Sequence, residues 1–281
     1  MWLFFAVLAG VLYTAESLVL RYLLRQQKDA WAFSFFYSLV GTLISLPFML
    51  SAPVIPHSVG VWALALLMGL FIVGNNLLLF KASNFLEASL IGTLSKLRLV
   101  WVFILSVALL HNSFSWQKLA GTLLAIVAGL VILHNFKRPK STKGMSLVLW
   151  ATLCNASIII LTKYLLSSFN VGSLTFFATF LPALLFNFIF MPHATRRIKK
   201  LFTEDWLVVL LACIFGSLAN LALNQALSLH DASSVLVINE AFLVLVLVGE
   251  HVWLKEKEHL WLKLLSVVLA IAGAVLIEIH L

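Results

Sequence analysis

The chain has 281 residues, of which 62% are hydrophobic and 11% are charged, and its mean hydropathy is +1.07. A soluble domain of this length needs a largely polar exterior, so this composition excludes a soluble protein. The formal net charge is +8, but the basic residues cluster in short segments between apolar runs, which is a membrane-topology pattern. We therefore expect an integral membrane protein with membrane lipids, and no nucleic acid, as partners.

Apolar runs that are long enough to cross a bilayer recur along the whole chain. A hydrocarbon core of about 30 Å requires roughly 20 helical residues. Ten runs meet this requirement: 2–24, 31–50, 60–80, 88–110, 117–135, 145–166, 171–191, 206–227, 233–253 and 260–280. The first has no basic segment before it, which favours a structural helix over a signal peptide. The predicted fold is all-α, with ten transmembrane helices.

The two halves of the chain resemble each other when one is shifted by about 141 to 145 residues. Residues 21–24 (RYLL) match 163–166 (KYLL), and residues 87–89 (EAS) match 231–233 (DAS). Each half holds five spans, and an odd number inverts the second unit in the membrane. Inverted repeats around a central site are the usual architecture of alternating access.

We expect a first five-helix unit at 1–137, a basic linker at 138–144 and a second five-helix unit at 145–281. Two such units, with an Ala-Ser run after the third helix of each, resemble the drug/metabolite transporter superfamily. Residues 88–129 and 232–273 resemble its EamA domain. The resemblance covers nearly the whole chain and implies a ten-helix transporter, but it implies no particular substrate.

The basic residues also predict an orientation. Of the 19 lysines and arginines, 15 lie in odd-numbered loops and the helix ends beside them, while Lys118 and Lys163 lie on the opposite side. The remaining two, Lys96 and Arg98, lie within a predicted span. This bias places both termini on the non-cytoplasmic face of a cell inner (plasma) membrane. The family resemblance implies cytoplasmic termini, and we follow the charges because they are counted on this chain.

Four ionisable residues fall near the middle of predicted spans: Glu16, Lys96, Arg98 and Glu240. A charge at bilayer depth costs on the order of 3 kcal/mol, so each needs a partner, water or substrate. Lys96 and Glu240 occupy equivalent positions of the two repeats, where the resembled family commonly has proline. They form either a structural salt bridge between the halves or part of the substrate cavity, and the two roles are compatible.

Glu16 is the candidate for a proton-coupled carboxylate, because a buried carboxylate can exchange a proton when a cation moves near it. A fixed pairing with Arg98 is the alternative. Tyr13 lies one turn away on the same helix face and can join the site. Asn76 and Asn220 are repeat-mates in a wider layer of amides, and each can bond a neighbouring helix or bind substrate.

Two acids and two bases in the core favour a zwitterionic substrate. We expect a secondary active transporter of an amino acid or related small polar metabolite, with protons as the candidate coupling ion and no cofactor or metal. An organic-cation or nucleoside-like solute carrier is the alternative, since 12% of the residues are aromatic. A lipid-modifying membrane enzyme is disfavoured, because no histidine lies at mid-depth to activate a nucleophile.

Overall fold

The computed structural model describes residues 1–24, 30–83, 85–86, 91, 94–95, 97–110, 116–133, 142–189, 206–243, 265, 268–269, 272–273 and 276. Its helices are α1 (Trp2–Leu24), α2 (Ala30–Ser51), α3 (Val59–Ser83), α4 (Arg98–Leu110), α5 (Trp116–Leu133), α6 (Thr142–Leu165), α7 (Val171–Ile189), α8 (Trp206–Leu229) and α9 (Ala232–Leu243). Helices are the only regular elements in the described part of the chain. The predicted all-α fold class is confirmed there.

Seven predicted spans coincide with α1 to α3 and α5 to α8 to within three residues at each end. The predicted fourth span includes α4, but α4 begins only at Arg98. The predicted ninth span overlaps α9, and the rest of that span lies beyond the described residues. The tenth span, 260–280, also lies mostly outside them, so the count of ten stays a prediction.

Length and composition make these helices suitable for a bilayer. Five of those described carry apolar windows of 18 to 24 residues with mean hydropathy between 1.7 and 2.3. In lipid the backbone polar groups must bond within the segment, which an α-helix achieves. Large apolar side chains such as Phe4, Leu43 and Trp150 are exposed on the outside, where acyl chains would contact them.

The helices of the two halves contact each other in a reciprocal pattern. Helix α1 packs on α8, and its repeat-mate α6 packs on α3, which is the repeat-mate of α8. In the same way, the α1–α9 contact is mirrored by α6–α4, and the α2–α8 contact by α7–α3. The equivalent helices α2 and α7 contact each other, as do α4 and α9. A two-fold relation between halves produces such an exchange of partners.

Small residues let the central helices approach closely. Ala6 and Ala9 of α1 share a buried cluster with Ala222 and Ala226 of α8. Apolar burial drives little association within lipid, so close packing by small side chains is the usual means of holding transmembrane helices together. The α1–α8 pair therefore forms a closely packed interface.

Candidate functional site

Glu16 lies in the interior of α1, and its side chain is only 9% exposed. Fourteen residues separate it from the start of the helix, which places it roughly 20 Å along the axis at 1.5 Å per residue. This depth is inside the hydrocarbon layer, where a carboxylate needs hydrogen-bond donors. Tyr37 of α2 supplies one, since its hydroxyl is hydrogen-bonded to Glu16.

A chain of hydrogen bonds leads to this carboxylate from three helices. The Tyr13 hydroxyl on α1 donates to Asn220 Oδ1 on α8 over 2.7 Å. The Asn220 Nδ2 group donates to the Tyr37 hydroxyl oxygen over 3.0 Å. Because Tyr37 in turn bonds Glu16, four side chains form one connected polar cluster, which we call the Glu16 cluster.

Gly216 makes room for the cluster on α8. A Cβ atom at this position would lie 2.5 Å from Glu16 Oε1 and 2.5 Å from the Tyr37 hydroxyl oxygen. Both distances are far inside van der Waals contact, so any side chain here would displace the carboxylate, the phenol or both. The glycine is therefore required for close approach and not for an unusual backbone angle.

A second polar site lies between α4 and α6 in the repeat-related part of the structure. Arg98 Nη1 donates to Asn155 Oδ1 on α6 over 3.2 Å. Asn155 occupies the position equivalent to Tyr13 at the repeat offset, and Asn76 of α3 is equivalent to Asn220. Asn76 Oδ1 accepts a long hydrogen bond of 3.4 Å from Asn75 Nδ2. The interface of α1 with α8 thus carries an acidic residue, whereas the contact between α4 and α6 carries a basic one.

The structure distributes the predicted site residues over these two places. It brings Glu16, Tyr13 and Asn220 together in the Glu16 cluster, while Arg98 bonds Asn155 between α4 and α6, and Asn76 accepts from Asn75 within α3. The other two predicted site residues can be placed only in part. Lys96 lies outside the described residues, and Glu240 lies in α9 without a described side chain.

Sequence reasoning did not select Tyr37 or Gly216. Tyr37 had a usable signal, because a phenol in the middle of an apolar span needs a hydrogen-bond partner. Gly216 had none, since a single glycine in an apolar helix is common in membranes and its role depends on which side chains face it.

A second network ties the two halves together at the turn between α8 and α9. Lys118, in the first turn of α5, lies 3.3 Å from Asp231 Oδ2. Lys163, at the end of α6, donates to the backbone oxygens of Leu227 and His230 over 2.5 and 2.7 Å. The two lysines that the charge count placed on the less basic side therefore both bind this turn.

Asp231 also caps α9. Its Oδ2 atom accepts from the Ser233 and Ser234 hydroxyls, each over 2.9 Å, and from the Ser234 backbone N–H over 3.3 Å. Burial by itself raises the pKa of the Asp231 carboxyl, but the Lys118 ammonium and the serine donors outweigh it, so the pKa lies below its ordinary value. The carboxylate is therefore stabilised in its ionised form.

Asp231→Asn is expected to lower stability at pH 7 by on the order of 1 kcal/mol, because the pairing with Lys118 is lost while asparagine still caps the helix. A depressed native pKa contributes stability above the unfolded pKa, near 3.8, and this contribution disappears as the pH falls through the native value. The difference between variant and wild type should thus close as the pH falls through the native pKa of Asp231. His230 Nε2 lies 3.4 Å from Asp231 Oδ1 and adds to the pairing wherever the imidazole is protonated. Apparent melting temperatures in detergent measure the difference.

Lys118→Met is the matched control for this prediction. It removes the same ion pair from the other side, so its loss of melting temperature at pH 7 should be similar. Equal stability of Asp231→Asn and wild type at pH 7 would contradict the proposed contribution of the pair.

Comparisons with known proteins give a family and a fold. The model of the EamA-like transporter family matches residues 1–134 and 142–279. A solved crystal structure, described only as that of a protein, shares 16% sequence identity with a TM-score of 0.76. The match covers 98% of this chain and 96% of that one, and at such low identity it shows a common fold alone. No curated protein sequence matches closely.

Proposed function

The chain belongs to the EamA-like transporter family, and from that membership we propose that it is a secondary active transporter of a small polar metabolite. It would work by alternating access between two inverted five-helix repeats, at 1–137 and 145–281, joined by the basic linker. The reciprocal helix contacts support this architecture, because a two-fold relation lets each half open on its own side in turn.

The observation that carries the proposal is the Glu16 cluster. A carboxylate at bilayer depth is costly, and Tyr37 is its described hydrogen-bond donor. Such a group is suited to bind a proton or an ammonium group that crosses the membrane. Protons are therefore the coupling ion that we propose, with Glu16 as the residue that binds them.

The substrate class follows from the repeat-related site. Arg98 and Asn155 offer donors that suit a carboxylate, and Asn155 is the repeat equivalent of Tyr13 in the Glu16 cluster. Acidic and basic sites on the two interfaces match the opposite charges of a zwitterion. We propose an amino acid or a related zwitterion as the substrate.

An organic cation is the second candidate. Tyr13 and Tyr37 belong to the same cluster as the Glu16 carboxylate. A carboxylate with aromatic rings near it is a common environment for a cation, because the ring faces carry negative electrostatic potential. In this alternative Arg98 would have a structural role.

The proposed location is the cell inner (plasma) membrane, with both termini on the non-cytoplasmic face. The proposal rests on the count of basic residues, 15 on one side against Lys118 and Lys163 on the other. A reporter fused after Leu281 measures the orientation directly.

Flux through purified protein in liposomes tests the function. Under an imposed pH gradient, at least one zwitterion in a panel of amino acids and derivatives should accumulate, while liposomes without protein show none. Accumulation of organic cations alone would support the second candidate. Turnover of lipid headgroups without solute flux would reject transport altogether.

A further inference from the structure

Asn220 is held in one orientation by its own helix. Its Nδ2 group donates to the Gly216 carbonyl oxygen over 3.0 Å and to the Tyr37 hydroxyl oxygen over 3.0 Å. Its Oδ1 atom accepts from Tyr13. Rotating the amide by 180° would place Oδ1 against the Gly216 carbonyl oxygen, so that two acceptors would face each other and both donor bonds would be lost.

This orientation decides where the Tyr37 proton lies. A phenol has one proton to donate, and its oxygen can accept as well. Because Nδ2 of Asn220 points at this oxygen, Tyr37 accepts from Asn220 and is left with its own proton to donate to Glu16. The hydrogen bonds therefore run in one direction, from Tyr13 through Asn220 and Tyr37 to the carboxylate.

We propose that Asn220 and Gly216 are positioning residues that fix the Tyr37 hydroxyl as a donor to Glu16 and so set the proton affinity of that carboxylate. This inference rests on the proposed role of Glu16 in coupling. Gly216 contributes in two ways, through its carbonyl oxygen, which orients the amide, and through its missing side chain, which lets Glu16 and Tyr37 approach.

Titratable side chains with described positions lie beside Glu16 on three helices, while α9, which also packs on α1, carries Glu240 without a described side chain. Tyr13 comes from α1, Tyr37 from α2, and Cys213 from α8. Tyr37 bonds the carboxylate directly, and Asn220 acts through Tyr37. The proposal therefore predicts that the effects of changing Asn220 and Tyr37 depend on each other.

The test follows protonation of Glu16 by infrared difference spectroscopy on purified protein without substrate. The carboxyl band assigned to Glu16 is the one that Glu16→Gln removes. Asn220→Ala and Tyr37→Phe should each shift the titration midpoint of this band to higher pH by about one unit, a tenfold change in proton affinity, because a donor to the ionised form is weakened or lost.

The double variant gives the sharper result. Because Asn220 acts through Tyr37, Asn220→Ala combined with Tyr37→Phe should shift the midpoint no further than Tyr37→Phe alone. Asn224→Ala is the matched control: this amide lies one turn further along α8 and donates to Thr175 Oγ1 over 2.9 Å, outside the cluster. It should leave the midpoint unchanged.

Gly216→Ala tests the second positioning residue, with Gly74→Ala as its control. A Cβ at Gly74 meets only Cys154 Sγ, at 3.9 Å, so this change fits without movement. Gly216→Ala should shift the midpoint as Asn220→Ala does. If Gly216→Ala fails to fold, the Asn220 variants still decide the question.

Two results would overturn the inference. One is an unchanged midpoint in Asn220→Ala together with a shift in Tyr37→Phe, which would make Asn220 a merely structural residue. The other is an additive double variant. Neither measurement requires transport, so a protein that moves no solute would reject the proposed function and leave this result standing on its own.

Discussion

Glu16→Gln is expected to abolish accumulation driven by a pH gradient, with an initial rate at least ~100-fold below that of wild type, equivalent to about 2.7 kcal/mol. Glutamine has nearly the same shape and still accepts a hydrogen bond from Tyr37, but it carries no charge and exchanges no proton. Initial rates in proteoliposomes, at matched amounts of folded protein, measure the effect.

Exchange of labelled substrate without a pH gradient serves as the control for Glu16→Gln. If Glu16 carries only the coupling proton, exchange should persist in the glutamine variant. If the carboxylate also binds the substrate amine, exchange should be lost with accumulation. Accumulation at the wild-type rate in a folded Glu16→Gln variant would remove Glu16 from the mechanism.

The helix boundaries could be predicted because they depend on local composition. A run of about 20 apolar residues has few alternatives to a membrane helix, and polar or charged residues end it. This is why α1, at Trp2–Leu24, has the predicted bounds, and why the exact ends of α3 and α6 differ by up to three residues. Their extra turns extend beyond the hydrocarbon layer, where apolar composition no longer marks the helix.

Members of the Glu16 cluster could be predicted from the sequence only where they lie on the same face of one helix. Glu16 and Tyr13 lie one turn apart on α1, so their common face follows from helix geometry. Tyr37 lies in the same cluster because α2 and α1 both pack on α8. This proximity depends on tertiary packing and not on the local sequence. A search for charged repeat-mates could not reveal it, since the residue equivalent to Tyr37 is Ala178.

The Lys118–Asp231 pair illustrates the same limit. The sequence marked Lys118 as a charge on the less basic side and Asp231 as part of an Asp-Ala-Ser run that matches Glu-Ala-Ser in the first unit. Their contact joins residues 113 positions apart, one from each half. Local patterns contain no information on such a pair, and only the packing of α5 beside α9 brings the two ends together.

The two repeats have corresponding helices, but their side chains differ at the positions of the Glu16 cluster. Glu16 and Gly216 correspond at the repeat offsets to Ile158 and Ile72, so the interface between α3 and α6 has no equivalent carboxylate. If Glu16 binds the coupling proton, as proposed, the interface between α3 and α6 offers no equivalent carboxylate for the same role.

The second large effect is expected at Lys96 and Glu240, the charged repeat-mates. They lie just before α4 and within α9, and these two helices contact each other. If the side chains pair in the membrane, Lys96→Ala and Glu240→Ala should each lower transport at least ~100-fold, because removing one partner strands the other charge at a cost of several kcal/mol. The double alanine variant should lower transport little beyond either single variant.

Exchanging the charges, with Lys96→Glu and Glu240→Lys together, should keep the protein folded even if transport fails. Lys81→Ala, which removes an exposed lysine at the end of α3, is the control and should transport normally. Full transport by both single variants in folded protein would exclude the pair from the substrate path, and Glu16 with the Asn76 and Asn220 layer would then be the better candidate for substrate binding.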